Sequence, residues 1–315
     1  MDALTGLLDG ARARGAFLVR SVLDPPWSLL VRDRAPLTVL TPLRGEAWVV
    51  PDAGEAARLR PGDVALLRGP DPYRVASSPE LPPTVVIHPG DRSATVGGEE
   101  LCERLRLGAR SWGGGSAEGT VLVTGTYHAD AAVGRRLLTA LPALAVVPAE
   151  AGEGSLVSLL GWEITRDEPG QEVFLDRLLD LVVVSSVRAW FTRSGSAAPG
   201  WYSAAGDPVV GPALRLLHDR ARENWTVAAL AAEVGVSRAT LARRFTELVG
   251  EPPMSYLTDW RLSLAADLLR GSTATLEVVA RRVGYGSAFA LSTAFRRERG
   301  MSPREFRRAG GRAAG

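Results

Sequence analysis

The chain has 315 residues, 46% of them hydrophobic and 23% charged, which is enough for two domains each with its own core. Every basic residue is Arg, and the net charge of +2 is unevenly shared: residues 208–315 carry +7 and residues 1–207 carry −5. The basic tail points to a polyanionic partner, the single cysteine (Cys102) excludes an intramolecular disulfide, and no apolar run is long enough to span a bilayer.

The opening stretch "MDALTGLLDGARARG" lacks the apolar core and cleavage site of a signal peptide. With one cysteine, this fits a reducing compartment, so a cytoplasmic protein without membrane association is expected. From about 15 to 148 short apolar runs ("AFLVRSVL", "LTVLTPL", "EAWVVPD", "DVALL", "TVVIHP", "TVLVTGTYH") are broken by Gly, Pro and Asp. Regular short strands between turn signals predict a sandwich or barrel. From about 133 the pattern turns helical, with "GSLVSLLGWEITRDE" and "GQEVFLDRLLDLVVVSSVRAWF" separated by Pro169-Gly170. The second of these is apolar nearly all round its middle. It should be buried on several sides, between domains or against a second copy of the chain. The stretch "TRSGSAAPGWYSAAGDP", 192 to 208, has a linker's composition. The expected domains are 1–150, β-rich; 151–207, a helical dimerisation and linker region; and 208–315, all helix.

The last of these contains one device built twice. Ser237, Leu241, Phe245, Gly250, Pro253 and Tyr256 recur fifty residues later as Ser287, Leu291, Phe295, Gly300, Pro303 and Phe306, with Gly286 an extra residue in the second turn. Thr226 is placed to cap a short helix and Gly235 to reverse the chain. Ser237 can cap the next helix, whose Leu241, Phe245 and Leu248 share one face, and Gly250 ends it. This is helix-turn-helix grammar. Opposite Leu241 lie Ala239, Arg243 and Thr246, flanked by Arg238, Ala242 and Arg244. Such a face suits the major groove of double-stranded DNA: Arg243 can bond guanine edges, and the alanines permit close approach. The second copy has lost the arginines, so unequal roles are expected of the two. "PMSYLTDWRLSLAADLLRG", 253 to 271, would be a strut of ~25 Å between them, set against a duplex turn of ~34 Å.

The text "WTVAALAAEVGVSRATLARRFTELVGEPPMSYLTDWRLSLAADLL" and "VVARRVGYGSAFALSTAFRRERGMSPREFR" resembles the DNA-binding domain of AraC/XylS transcription regulators over about a hundred residues. The resemblance implies two helix-turn-helix units on a connecting helix. It also implies reading helices from about Ser237 to Leu248 and from about Ser287 to Arg299. Base-facing positions would be Arg238, Ala239, Ala242 and Arg243, then Ala288, Phe289, Ala290 and Thr293. Ser237, Arg244, Ser287, Arg296 and Arg297 would meet phosphates. Family members usually carry a longer polar side chain where this chain has Thr293, and polar residues near Ala288 and Ala290. Phe289 can meet a thymine methyl or pack inward.

"LRPGDVALLRGPDPYRVAS", 59 to 77, has a Pro-Gly-Asp turn that resembles the second motif of cupin barrels. With "GTVLVTGTYHAD" and "LLTALPAL", the region from about 4 to 148 resembles the cupin-type sensor domain of one AraC subgroup. The resemblance therefore implies a cupin-like β-barrel, a helical linker and a double helix-turn-helix domain, a multidomain α+β architecture. A metal-dependent cupin needs clustered His and carboxylate ligands. The chain offers only His88, His128 and His218, and Tyr73 stands where a ligand would follow the turn. No cofactor, metal or catalysis is expected. Trp27, Trp48, Tyr73 and His88 are candidate lining residues of an effector pocket, and Cys102 is a candidate redox residue. The expected function is sequence-specific transcription regulation, controlled by a small effector or by dimerisation. DNA is the expected partner; RNA polymerase, a small-molecule effector and a second copy are further candidates. A redox- or metal-responsive regulator and a cupin enzyme with a DNA-binding tail are the alternatives.

Overall fold

A computed structural model describes residues 17–90, 92–101, 104–108, 110–127, 137–149, 154–194 and 198–312. The chain divides into two compact units: one comprises Arg12–Asp130 with Leu138–Gly195, and the other is built on Ser196–Gly315.

The first unit holds strands β1 (Phe17–Leu23), β2 (Ser28–Val31), β3 (Leu37–Arg44), β4 (Ala47–Pro51), β5 (Ala57–Leu59) and β6 (Val64–Arg68), then β7 (Tyr73–Ala76), β8 (Val85–His88), β9 (Arg92–Thr95), β10 (Ser111–Gly113), β11 (Thr120–Tyr127) and β12 (Leu144–Val147). They form two six-stranded sheets, ordered β10-β1-β11-β3-β6-β12 and β5-β4-β7-β2-β8-β9. Among the described residues no ladder joins one sheet to the other, so the expected barrel is an open pair of sheets with the character of a cupin jelly roll. Leu40, Ala65, Leu67 and Leu122 of the first sheet meet Leu29, Val31, Val49, Leu59 and Val75 of the second in a shared core. The Pro61-Gly62-Asp63 turn is tied down by its aspartate, which accepts from Arg60 N at 2.8 Å and Ala149 N at 3.0 Å.

Strand β11 shows how the first sheet is covered on both faces. Leu122, Thr124 and Thr126 face the space between the sheets. The alternate residues Gly125 and Tyr127 meet helix α2 (Gln171–Ser194), as a strand's period of two requires. A Cβ at Gly125 would lie 2.6 Å from Leu179 Cδ1, so the glycine is what lets α2 sit against the strand. Gly161 of α1 (Gly154–Glu163) does the same for Leu43, the residue skipped where the β3–β11 register shifts. Leu175, Leu178, Leu179, Val182, Val183, Val187 and Phe191 make a buried stripe along α2. Val173, Phe174 and Leu181 lie on its other side and are exposed in the single chain.

The second unit starts before the expected boundary at 208. Residues 200–206 form a short helix α3 (Gly200–Ser203) and a 3-10 turn (Ala204–Gly206), with Trp201 and Ala204 buried. The Gly and Ala content that reads as a linker serves close packing here: a Cβ on Gly200 would lie 2.2 Å from the Leu248 carbonyl oxygen. Helices α4 (Val210–Asp219), α5 (Val227–Glu233), α6 (Arg238–Val249), α7 (Pro253–Gly271), α8 (Leu276–Arg282), α9 (Ala288–Arg299) and α10 (Pro303–Arg312) follow. At 1.5 Å per residue the 19-residue α7 spans about 28 Å. Phe245 packs edge-on to Tyr256 with ring centroids 5.8 Å apart, and Phe295 does the same to Phe306 at 5.3 Å. His218 stacks on Trp260 at 4.3 Å and bonds Tyr256 Oη through Nε2 at 2.8 Å, inside the helical core.

Candidate nucleic-acid interface and sensor cavity

The two helix-turn-helix units are built with the same parts. Thr226 Oγ1 accepts from Ala229 N, and Thr275 Oγ1 accepts from Val278 N, starting the first helix of each unit. Gly235 (φ +72°) and Gly284 (φ +84°) turn the chain in the left-handed region, where a side chain would be strained. Ser237 Oγ accepts from Thr240 N at 3.1 Å and Ser287 Oγ from Ala290 N at 3.1 Å, capping α6 and α9, the second helices of the two units. Gly250 and Gly300 end them in the left-handed conformation. Leu241 and Phe245, like Leu291 and Phe295, are wholly buried, and the exposure pattern of 241–250 repeats position for position in 291–300. Leu248, expected on the core face, is 37% exposed at the helix end.

On the outward side of α6, Arg238, Ala239 and Arg243 are exposed and Ala242 is half-buried on the flank. Arg243 Nη1 donates to both oxygens of Glu247 at 3.0 Å, an i,i+4 pair that orders the guanidinium on the free face. Arg244 is committed elsewhere. Its Nε and Nη2 donate to Asp207 Oδ2 at 3.0 and 2.7 Å, so the residue expected on phosphate is a tether between α6 and the segment entering α4. The other oxygen of Asp207 accepts from Val209 N and Val210 N, both at 2.9 Å. Burial pushes the Asp207 carboxyl up, but the bonds from Arg244, Val210 and Val209 outweigh it and hold it below the usual carboxylate range. The same contact raises Arg244 above its ordinary value.

On α9, Phe289 is 81% exposed, which settles its orientation: it does not pack inward. Ala290 and Thr293 are exposed beside it and Ala288 is half-buried. Arg296 and Arg297 are exposed one turn on, with Arg297 Nε donating to Glu298 at 2.7 Å. Arg299, by contrast, faces inward and donates to Asp259 at 3.0 Å and Ser263 at 2.9 Å, fastening α9 to α7.

Between the two sheets lies a cavity of about 270 Å³. Val19, Leu29, Val31, Leu40, Val75, Ile87 and Leu122 give it apolar walls, and Asp33, Arg106, Arg110 and Thr124 add polar groups. Of the four expected lining residues only Tyr73 is there. Burial, and then the nearby Asp33 charge, pushes the Tyr73 hydroxyl well above its ordinary value, so it stays protonated. Trp27 belongs instead to the inter-sheet core, while Trp48 and His88, both half-buried on strands of the second sheet, line no part of the cavity. Aromatic residues at strand spacing do not reveal whether they fill a core or border a gap. Arg106, Arg110 and Trp112 also line the cavity; they sit in and beside the polar, Gly-rich interruption between strands, where no periodic pattern marks them. Cys102 and His128 lie outside the described residues. Among the described residues no three His, Cys, Asp or Glu side chains are grouped to hold a metal, and no helix is long and apolar enough to cross a membrane.

Residues 2–192 match the cupin family and residues 230–309 the helix-turn-helix domain family. An AraC-like transcription regulator of Streptomyces lividans is 34% identical over 316 residues, covering 98% of this chain and 98% of the relative. One of Streptomyces antibioticus is 31% identical over 98% of this chain and 99% of the relative. Among solved structures, the DNA-binding domain of AdpA in complex with a target DNA is 36% identical over 33% of this chain and 93% of that one, with a TM-score of 0.31. With the cupin-type sheets in one unit and two matched helix-turn-helix devices in the other, the chain belongs to the AraC-like transcription regulators and is a DNA-binding protein of that family.

Proposed function

We infer that α6 carries most of the base discrimination and that α9 mainly seats the domain. The observation behind this is the identical frame of the two helices with different outward chemistry: Arg238, Ala239, Ala242 and Arg243 on α6, against Ala288, Phe289, Ala290 and Thr293 on α9. Arg243, ordered by Glu247, offers donors to a guanine edge. Arg296 and Arg297 serve phosphates, and the capping Ser237 and Ser287 lie at the helix starts where a phosphate can approach. Arg244 contributes indirectly, by fixing α6 through Asp207.

The inter-sheet cavity is the sensor site. Its apolar walls and few charged groups suit a small, largely apolar effector with one polar end. The cupin unit acts as a receptor without a catalytic step, metal or cofactor. The protein works in the cytoplasm as a homodimer, with RNA polymerase as the partner that reads its position on DNA. Support for the dimer comes from Leu159, Trp162, Val173, Phe174 and Leu181, large apolar side chains exposed on α1 and α2.

Footprinting on DNA upstream of the chain's own gene, repeated with metabolite pools, tests the reading. Protection of two sites about one helical turn apart, altered by one metabolite fraction, is expected. Equal affinity for random duplexes with no footprint would overturn it. Sedimentation showing a strict monomer at micromolar concentration, with and without DNA, would remove the dimer.

A further inference from the structure

Because the frames of α6 and α9 coincide, their outward positions can be paired at an offset of fifty. Ala239 pairs with Phe289, and Arg243 with Thr293. At these paired positions the long side chain of α6 stands one turn into the helix and carries a charge, and Arg238 adds a second exposed arginine at the helix start. In α9 it stands in the first turn and is a bare aromatic ring. The stretch from Ser287 to Phe295, "SAFALSTAF", contains no Arg, Asn, Gln, His, Asp or Glu, so α9 has no bidentate hydrogen-bonding reader in its first two turns.

The ring is not used for packing. Phe289 is 81% exposed, the most exposed of the large hydrophobic side chains among the described residues, while the core face of α9 is already filled by Leu291 and Phe295. At 100° per residue Thr293 lies 40° from Phe289 and Arg297 lies 80° from it, all on the side away from that core. A ring held in water on a groove-facing surface needs an apolar partner when DNA binds. The major groove offers one apolar feature, the C5-methyl of thymine.

We propose that Phe289, with the methyl of Thr293 beside it, reads thymine methyls in the half-site under α9, so that this half-site is recognised by apolar contact and the other by hydrogen bonds. The proposal rests on the DNA-binding reading above. It makes cytosine unacceptable there because cytosine lacks the methyl, not because its exocyclic amine meets an unsuitable partner.

The test uses the full chain and its footprinted operator. Each thymine under α9 is replaced in turn by uracil, which deletes only the methyl, and then by cytosine or 5-methylcytosine opposite guanine. The expected result is a loss of about four-fold per methyl at one or two positions with uracil, and substantial recovery of the cytosine loss by 5-methylcytosine. Phe289→Ala, a change at an exposed position, should bind the thymine and uracil duplexes equally, and Phe289→Leu should keep a reduced preference for thymine. Equal binding of thymine and uracil operators by the wild-type chain overturns the proposal, as does a thymine preference undiminished in Phe289→Ala. Either result leaves the footprint, and so the regulator reading, intact; absence of any footprint would instead overturn both.

Discussion

Arg244 and Asp207 form a two-donor contact, with Nε and Nη2 both on Oδ2 at 3.0 and 2.7 Å, and the aspartate is nearly buried while the arginine is 41% exposed. The contact makes Arg244 a brace within the C-terminal unit. It joins α6 to residues just before α4, and the second oxygen of Asp207 closes the start of that helix.

Replacing Asp207 by Asn should therefore destabilise the C-terminal unit by about 1–2 kcal/mol, allowing for the exposure of Arg244. The acid has a lowered pKa in the folded state, so its contribution is complete above the unfolded carboxylate value. It is lost as pH falls through the folded value, below about pH 4. Chemical denaturation of the full chain at pH 7 and at pH 3 measures this. A wild-type to variant gap that persists unchanged at pH 3 would contradict it.

Arg244→Gln and Arg296→Gln should behave differently towards salt. Loss of a phosphate contact at Arg296 lowers the slope of log affinity against log salt by about 0.9. Loss of Arg244 leaves the slope near the wild-type value and lowers stability. Binding titrations at several salt concentrations separate the two, and a slope lowered by about 0.9 in Arg244→Gln would place Arg244 on the DNA.

Arg243→Ala should weaken specific binding by about 1–3 kcal/mol and leave the melting temperature unchanged, since the side chain is exposed and its pair with Glu247 is a surface one. Wild-type operator affinity in this variant would place base readout elsewhere.

Phe245→Ala and Phe295→Ala should each cost about 3–5 kcal/mol, because both rings are wholly buried against another aromatic ring. Unfolding midpoints close to wild type would be inconsistent with these packing arrangements.

Gly125→Val should destabilise the cupin unit by about 1–3 kcal/mol through collision with Leu179, and Leu179→Ala should recover part of that loss in the double variant. Additive costs in a double-mutant cycle would show that the two positions do not touch.

Much of the C-terminal unit was legible along the chain because its determinants are local. Thr226, Gly235, Ser237 and Gly250 act within a few residues of themselves, and a duplicated spacing shows where each helix begins and which face is buried. The alternating strands and the Pro61-Gly62-Asp63 turn likewise announced a β-rich unit. What a linear reading could not settle is what depends on partners far apart in the chain. Asp207 and Arg244 are 37 residues apart, and only folding makes one the tether of the other. The cavity collects Asp33, Tyr73, Arg106 and Arg110 from separate strands and loops, while Trp27 and Trp48, equally plausible by composition, fall elsewhere. The same holds for Phe289, whose sequence allowed either a packed or a free ring. The spacing of Leu291 and Phe295 puts Phe289 off the core face of α9, but whether another element of the fold covers the ring is decided only in three dimensions, where it stands 81% exposed.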